Sequence, residues 1–139
     1  LAVGETEDPT TSRMTIVVEG DDKTLEQIKK QLNKLIDVIK VADYREGDFI
    51  DRELVMVKVA VTPKTRQEAL AAIDSLGAKI ESAGPKTISV EATGDQNKIH
   101  ALLELLRPFG IVEVVRTGRI AMGIEDKGLS GKGKPEVNE

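Results

Sequence analysis

The sequence predicts an α+β fold made of two small units in tandem, and three observations support this prediction. Apolar and polar residues alternate over residues 12–19, and apolar residues then recur at helical spacing as far as residue 35. The same succession of strand and helix returns about seventy residues later, over residues 87–115. The chain has 139 residues, of which 40% are apolar and only 2% aromatic, so its length suits one domain or two small ones with aliphatic cores.

The first two predicted strands, residues 1–5 and 12–19, form an antiparallel hairpin. The polar loop between them contains Pro9, which cannot continue a strand ladder. Alternate apolar residues of the second strand are expected to face a core: Met14, Ile16 and Val18.

The first predicted helix follows this hairpin and ends near Leu35. Its start is left open, because Asp22 is a good N-cap and Thr24 with Gln27 fits a capping box equally well. A short strand over residues 38–43 comes next.

The second unit is predicted over residues 51–119 and begins with a strand at residues 54–61. This strand is rich in Val and, apart from Lys58, apolar on both faces, which is typical of a central strand. The following helix is predicted to begin at Thr65, which fits a capping box with Glu68, and to stop at Gly77.

A second hairpin, of strands 79–82 and 87–93, is predicted around the turn signal Gly84-Pro85. Asp95 is the predicted N-cap of the last helix, and a closing strand covers residues 111–117. Pro108 and Gly110 end that helix.

The element order over residues 51–119 is therefore β-α-β-β-α-β, which predicts a ferredoxin-like unit with two helices on one face of a four-stranded antiparallel sheet of order 4-1-3-2. Residues 1–43 show the same unit without its first strand and helix (ββαβ). The predicted fold is thus α+β, with two ferredoxin-like βαββαβ units in tandem, the first incomplete. Residues 44–50 are predicted to be a charged linker, and residues 120–139, rich in Gly and Lys, a flexible tail.

Composition excludes several classes of protein. A net charge of −4 argues against a dedicated nucleic-acid binder, which would need a basic face. The absence of cysteine excludes disulfides and thiolate metal sites and favours a reducing compartment. No apolar run approaches the roughly 20 residues that a membrane span needs. The chain begins with Leu rather than Met and has no basic signal-peptide region, so we expect it to start inside a domain.

No residue set in the sequence predicts catalysis. His100 is the only histidine, it lies off the apolar stripe of the last helix, and it has no evident nucleophile as partner. The acidic groups Glu5/Glu7/Asp8 and Asp21/Asp22 lack the spacing of a calcium loop, so turn formation and helix capping explain them better. We therefore expect neither a catalytic nor a metal-binding residue.

The sequence also contains two basic motifs that could bind an anion. Gly131-Lys132-Gly133-Lys134 lacks the strand and helix that flank a phosphate loop, so it is interpreted as linker. Arg116-Thr117-Gly118-Arg119 lies at the end of the last predicted strand. It is either a solvated basic strand end or a contact for an anion or a partner, and the sequence leaves both open.

Several stretches resemble the regulatory small subunit of acetohydroxyacid synthase, also called acetolactate synthase. The resemblance is carried by residues 1–16 and 25–41, by Arg52-Glu53-Leu54, by residues 89–95 and by Arg116-Thr117-Gly118-Arg119. It covers about residues 1–122, and the stretch from residue 9 to residue 41 makes it specific.

The resemblance implies an N-terminal ACT domain, here residues 1–43 and incomplete, followed by a C-terminal ferredoxin-like domain. It implies a subunit that is not itself an enzyme. Such a subunit binds and activates a thiamine-diphosphate-dependent catalytic subunit and confers valine feedback inhibition in valine and isoleucine biosynthesis. No cofactor is expected in this chain, whereas thiamine diphosphate, Mg and FAD are expected in the catalytic partner. The bacterial cytoplasm is the favoured location, or a plastid or mitochondrion in a eukaryote.

The resemblance also implies a homodimer, formed edge to edge through the second ACT strand. In this chain that strand would be Leu1, Ala2, Val3, Gly4 and Glu5. The family's effector pocket lies chiefly in segments that would precede Leu1, so no effector-binding residue is assigned. Without the first ACT strand, its two neighbours would have unpaired edges. We therefore hypothesise that residues 1–43 are stable only through swapped or intermolecular pairing.

The alternative to a regulatory subunit is a free-standing amino-acid-binding ACT module that regulates another protein such as a transcription factor. The lack of a helix-turn-helix pattern or a basic face weakens it.

Overall fold

The computed structural model describes residues 1–45, 48–124 and 129–131, the last of these by their backbone only. In chain order the described elements are β1 Ala2–Glu5, β2 Ser12–Thr15, α1 Asp22–Asn33, β3 Lys40–Ala42, β4 Phe49–Ala60, α2 Arg66–Ser75, β5 Lys79–Ala83, β6 Thr87–Gly94, α3 Gln96–Leu106, a 3-10 helix Arg107–Phe109, β7 Ile111–Arg116, β8 Ile120–Gly123 and β9 Leu129–Gly131. The chain divides into two compact units. The N-terminal unit comprises Leu1–Ile50 and Ala121–Glu139, and the C-terminal unit comprises Asp51–Ile120.

The sheet of the C-terminal unit has the strand order β5-β6-β4-β7, and each neighbouring pair is antiparallel. At its centre Val57 of β4 lies opposite Val90 of β6 and Val114 of β7. Helix α2 connects β4 to β5, and helix α3 connects β6 to β7. This is the βαββαβ order with the 4-1-3-2 arrangement, so the predicted ferredoxin-like fold is confirmed for this unit.

The core of this unit is aliphatic, as its composition predicts. Its buried apolar residues come from alternate positions of β4 and β6, from the residue that follows β4, and from the inner faces of α2 and α3: Val55, Val57, Val59, Val61, Ala69, Ile73, Ile88, Val90, Ala92, Ile99, Leu102 and Leu106. The sequence predicts β4 as a central strand, and it is one. Its second face is more open than its first, since Met56 between two buried valines is 47% exposed.

The helix starts of this unit follow the sequence prediction in one case and differ in the other. Asp95 caps α3, because its carboxylate accepts a hydrogen bond from the Lys98 amide at 2.9 Å. Thr65 stands at the N-cap of α2, but its side chain makes no capping bond, and its hydroxyl instead accepts from the Thr62 amide at 2.9 Å. The predicted capping box with Glu68 is therefore wrong. Gly77 ends α2 with a φ of +67°, a conformation that favours glycine.

The N-terminal unit contains two separate two-stranded antiparallel sheets, β1 with β2 and β3 with β9. The hairpin of β1 and β2 is confirmed, with Val3 opposite Met14. Strand β2 ends at Thr15, four residues before the predicted end. Helix α1 is capped by Asp21 rather than by Asp22 or Thr24, because only Asp21 has the extended backbone that lets its carboxylate accept from the Thr24 amide, at 2.8 Å.

The predicted core face of β2 is exposed. Met14 is 55%, Ile16 49% and Val18 37% exposed. Helix α1 ends at Asn33, before the predicted Leu35, and none of its residues is buried. Among the described residues no element covers this face, which explains why alternation alone predicted its burial wrongly.

The C-terminal segment also differs from its prediction as a flexible tail. Within residues 120–139 the structure places β8, which pairs with β4, and β9, which pairs antiparallel with β3. Strand β3 thus has a partner in its own chain, so the expectation of an unpaired edge beside it is wrong for this strand. Residues 125–128 and 132–139 lie outside the described residues, as do Glu46 and Gly47 of the predicted linker.

Candidate functional site

His100 and the acidic groups are the residues that the sequence offers as candidates for catalysis or metal binding. His100 is exposed on α3, beside the buried Ile99. Across residues 1–45, 48–124 and 129–131, no group of three His, Asp or Glu side chains is placed to hold a metal ion. In the same part of the chain, no helix is long and apolar enough to cross a membrane.

Two of these carboxylates organise local backbone. Asp8 accepts hydrogen bonds from the amide of Thr10 at 2.9 Å and from its hydroxyl at 2.7 Å, which fixes the turn between β1 and β2. The bond from the Thr10 amide, and after it the bond from the Thr10 hydroxyl, holds the pKa of Asp8 below its usual value. The backbone bond from Thr24 likewise lowers the pKa of Asp21. Turn formation and helix capping therefore account for these two aspartates.

The basic motif Arg116-Thr117-Gly118-Arg119, which begins at the last residue of β7, is ion-paired within the chain. Arg116 donates to the Glu53 carboxylate from Nε at 2.9 Å and from Nη2 at 2.5 Å. The Glu53 side chain is only 5% exposed, whereas that of Arg116 is 46% exposed. A buried carboxylate requires such a partner, because an unpaired charge away from water is costly.

The second arginine of the motif has an equivalent partner. Arg119 donates from Nε to the Asp51 carboxylate at 3.1 Å. Between the two arginines, the Thr117 hydroxyl accepts from the Leu54 amide at 3.1 Å, and the Thr117 amide donates to the Leu54 carbonyl at 3.1 Å. Both arginines therefore hold the end of β7 and the segment that follows it against the start of β4.

The basic motif is evident in the sequence, whereas the acidic residues that face it were not predicted as its partners. The signal was present, because Asp51 and Glu53 are two residues apart and so lie on one face of a strand. What the sequence could not show is the strand register, which places this acidic pair beside the basic motif.

The outer edge of β1 is a second surface of interest. The Thr6 amide donates to the Thr11 carbonyl at 2.8 Å, in the same register as the β1–β2 pairs. Because hydrogen-bonded and non-bonded pairs alternate along an antiparallel ladder, the backbone groups of Val3 and Glu5 point away from β2. Within the described residues β1 pairs only with β2, so this edge offers a free ladder.

The side chains around this edge are apolar and exposed. Leu1 is 71% and Val3 60% exposed, and their neighbours in β2 and just after it, Met14 and Ile16, are 55% and 49% exposed. Contiguous exposed apolar side chains beside a free strand edge are typical of an interaction surface.

Comparison with known protein families gives two matches along the chain. Residues 52–125 match the family model described as the small subunit of acetolactate synthase. Residues 1–40 match a model described as the small-subunit-like ACT domain of acetohydroxyacid synthase. The chain belongs to the acetolactate synthase small-subunit family. The resemblance drawn from the sequence is therefore confirmed.

Individual relatives in this family are similar over most of the chain. A probable acetolactate synthase small subunit of Methanothermobacter thermautotrophicus is 51% identical over 123 residues, which are 88% of this chain and 73% of the relative. The acetolactate synthase small subunit of Aquifex aeolicus is 47% identical over 124 residues, 88% of this chain but only 64% of the relative. Part of the relatives' length therefore has no counterpart here.

Among solved structures, the crystal structure of the acetolactate synthase small subunit from Thermotoga maritima is similar, with a TM-score of 0.77 and 37% sequence identity. The similarity covers 88% of this chain and 76% of that chain. It supports the α+β fold with antiparallel sheets in this family.

Proposed function

We propose that this chain is a regulatory subunit that binds and activates the catalytic subunit of acetohydroxyacid synthase. The observation that carries the proposal is the match of both parts of the chain, residues 1–40 and 52–125, to small-subunit families of that enzyme. The chemistry belongs to the partner, which would hold thiamine diphosphate, Mg and FAD. Relatives in bacteria and archaea, together with the lack of cysteine, favour a cytoplasmic location.

Valine feedback inhibition is the second part of the proposal. The match of residues 1–40 to an ACT domain supports it, because that domain would bind the effector. We assign no effector-binding residue, and we propose residues 1–43 as the regulatory domain and residues 51–119 as the C-terminal domain.

We further propose a homodimer through the outer edge of β1. The support is the free ladder of Val3 and Glu5 and the exposed Leu1 and Val3 beside it. Two copies that add β1 to β1 would each satisfy the other's outward-facing backbone groups and bury these apolar side chains.

Direct binding to the catalytic subunit tests the proposal. We expect isothermal titration calorimetry to show saturable binding of the chain to its cognate catalytic subunit, and none to an unrelated thiamine-diphosphate enzyme used as control. Equal binding to both enzymes, or to neither, would contradict it.

A free-standing amino-acid-binding ACT module remains the alternative function. Titration of the chain alone with valine distinguishes it. Saturable binding of valine without any binding to the catalytic subunit would favour this alternative over the regulatory subunit.

A further inference from the structure

Three segments of the N-terminal unit meet at the side chains of Arg13 and Tyr44. Arg13 lies in β2, Tyr44 follows β3, and the third segment is β8. The Nη2 nitrogen of Arg13 donates to the Tyr44 hydroxyl at 2.9 Å and to the Ala121 carbonyl at 2.8 Å. The Gly123 amide donates to the same hydroxyl at 3.2 Å. These bonds are partly buried and therefore shielded from bulk water.

The two bonded backbone groups lie on one edge of β8. Alternate residues of a strand point their N–H and C=O groups to the same edge, so the bonded groups of Ala121 and Gly123 share an edge. One residue further on, the amide of Ile124 donates in the other direction, to the Asp48 carbonyl at 3.2 Å. Strand β8 pairs with β4 along one edge. Along its other edge, Arg13 and Tyr44 provide hydrogen bonds that a neighbouring strand would otherwise provide.

The ring of Tyr44 extends this contact to the beginning of β4. It stacks on Phe49, with ring centroids 5.4 Å apart and an interplanar angle of 23°. The chain enters Asp51–Ile120 through β4 and leaves it through β8. The Arg13–Tyr44 pair thus bonds to, or packs on, both of these segments.

We propose that Arg13 and Tyr44 are positioning residues that transmit a change in the β1–β2 hairpin to the segments leading into and out of Asp51–Ile120. The proposal rests on the regulatory function proposed above and assigns these residues a role in its output. A planar guanidinium suits this role, because one nitrogen can serve two acceptors in a fixed geometry that a lysine ammonium does not reproduce.

The contact itself can be measured without any partner. Tyr44 is the only tyrosine and the chain has no tryptophan, so intrinsic fluorescence reports on Tyr44 alone. In Arg13→Gln, we expect acrylamide quenching of this fluorescence to increase roughly twofold or more, because local opening becomes populated. The matched control Arg107→Gln removes an arginine paired with Glu104 on the exposed end of α3, and it should leave quenching unchanged.

The regulatory role is tested by titrating the catalytic subunit with wild-type chain, Arg13→Gln, Tyr44→Phe and the double variant. We expect each single variant to lower maximal activation about fivefold, a typical size for coupling between sites, with the half-activating concentration nearly unchanged. The double variant should be no worse than the more severe single one, because both substitutions break one network. Arg13→Lys should restore less than half of the lost activation.

Three results would overturn the proposal. Unchanged quenching in Arg13→Gln would show that the contact does not hold Tyr44. A shift in the half-activating concentration with full maximal activation would show a role in stability or affinity alone. Additive losses in the double variant would show two independent effects. If the wild-type chain itself does not activate, the proposed function and this regulatory role both fail, whereas the quenching comparison still decides the contact.

Discussion

Replacing Arg116 with methionine should destabilise the C-terminal unit because it isolates a buried charge. Glu53 is 5% exposed, and its carboxylate accepts hydrogen bonds from Nε and Nη2 of Arg116. Methionine keeps the aliphatic stem of the arginine but donates no hydrogen bond, so the carboxylate would keep its desolvation cost without its partner.

The magnitude follows from two limits. Breaking a fully buried ion pair costs about 3–5 kcal/mol, whereas exposed pairs contribute about 0–1 kcal/mol. Since the Arg116 side chain is 46% exposed, water reaches one side of the pair, and we expect a loss of about 2–3 kcal/mol between these limits. At about 4–8 °C per kcal/mol for a unit of this size, that corresponds to a fall in Tm of roughly 8–24 °C.

Urea denaturation followed by far-UV circular dichroism measures this free energy. Glu53→Gln removes the charge but keeps polar atoms for hydrogen bonding, so it should cost about 1 kcal/mol. The double variant Glu53→Met with Arg116→Met removes the buried charge together with its partner and should lose less than Arg116→Met alone. If Arg116→Met is within about 0.5 kcal/mol of wild type, the argument from desolvation is wrong.

Three further predictions concern the core, the dimer edge and a helix cap. Leu102→Ala should lower the free energy of unfolding by about 2–5 kcal/mol, and Leu105→Ala, at a 39% exposed position of the same helix, by clearly less, as measured by urea denaturation. Val3→Pro should shift sedimentation from dimer to monomer, because it removes an outward-facing N–H of β1, whereas Val3→Thr should keep the dimer. Asp21→Ala should destabilise the chain at neutral pH. Because the pKa of Asp21 is lowered on folding, its contribution is present above its unfolded value near 3.8 and is lost as pH falls through the folded value, so the two proteins should converge in acid denaturation. A core variant without effect, an unchanged sedimentation profile or a constant difference at low pH would contradict the respective prediction.

The C-terminal unit could be predicted from the sequence because its local signals agree. The Val-rich run of β4, the Gly84-Pro85 turn and the Asp95 cap each specify one element, and together they allow a single topology. The error at Thr65 has a local cause. Thr62 lies three residues earlier and uses the hydroxyl that the capping box would need.

The N-terminal unit was less predictable, because its strands have fewer neighbours to complete them. Met14 and Ile16 alternate as core residues do, yet burial depends on a covering element that alternation cannot supply. The pairing of β9 with β3 joins residues about ninety positions apart, and no local pattern indicates it. The contacts of Arg13 with Tyr44 and Ala121 were missed for the same reason.

If this chain regulates an acetolactate-forming enzyme, it changes the rate at which that enzyme forms acetolactate. The assay compares the cognate catalytic subunit alone, with this chain, and with this chain and added valine. We expect a higher rate with the chain and a lower one when valine is added. Activation without valine sensitivity would keep the partner interaction and reject the effector response for this chain. A rate that the chain does not change at any concentration would contradict the account.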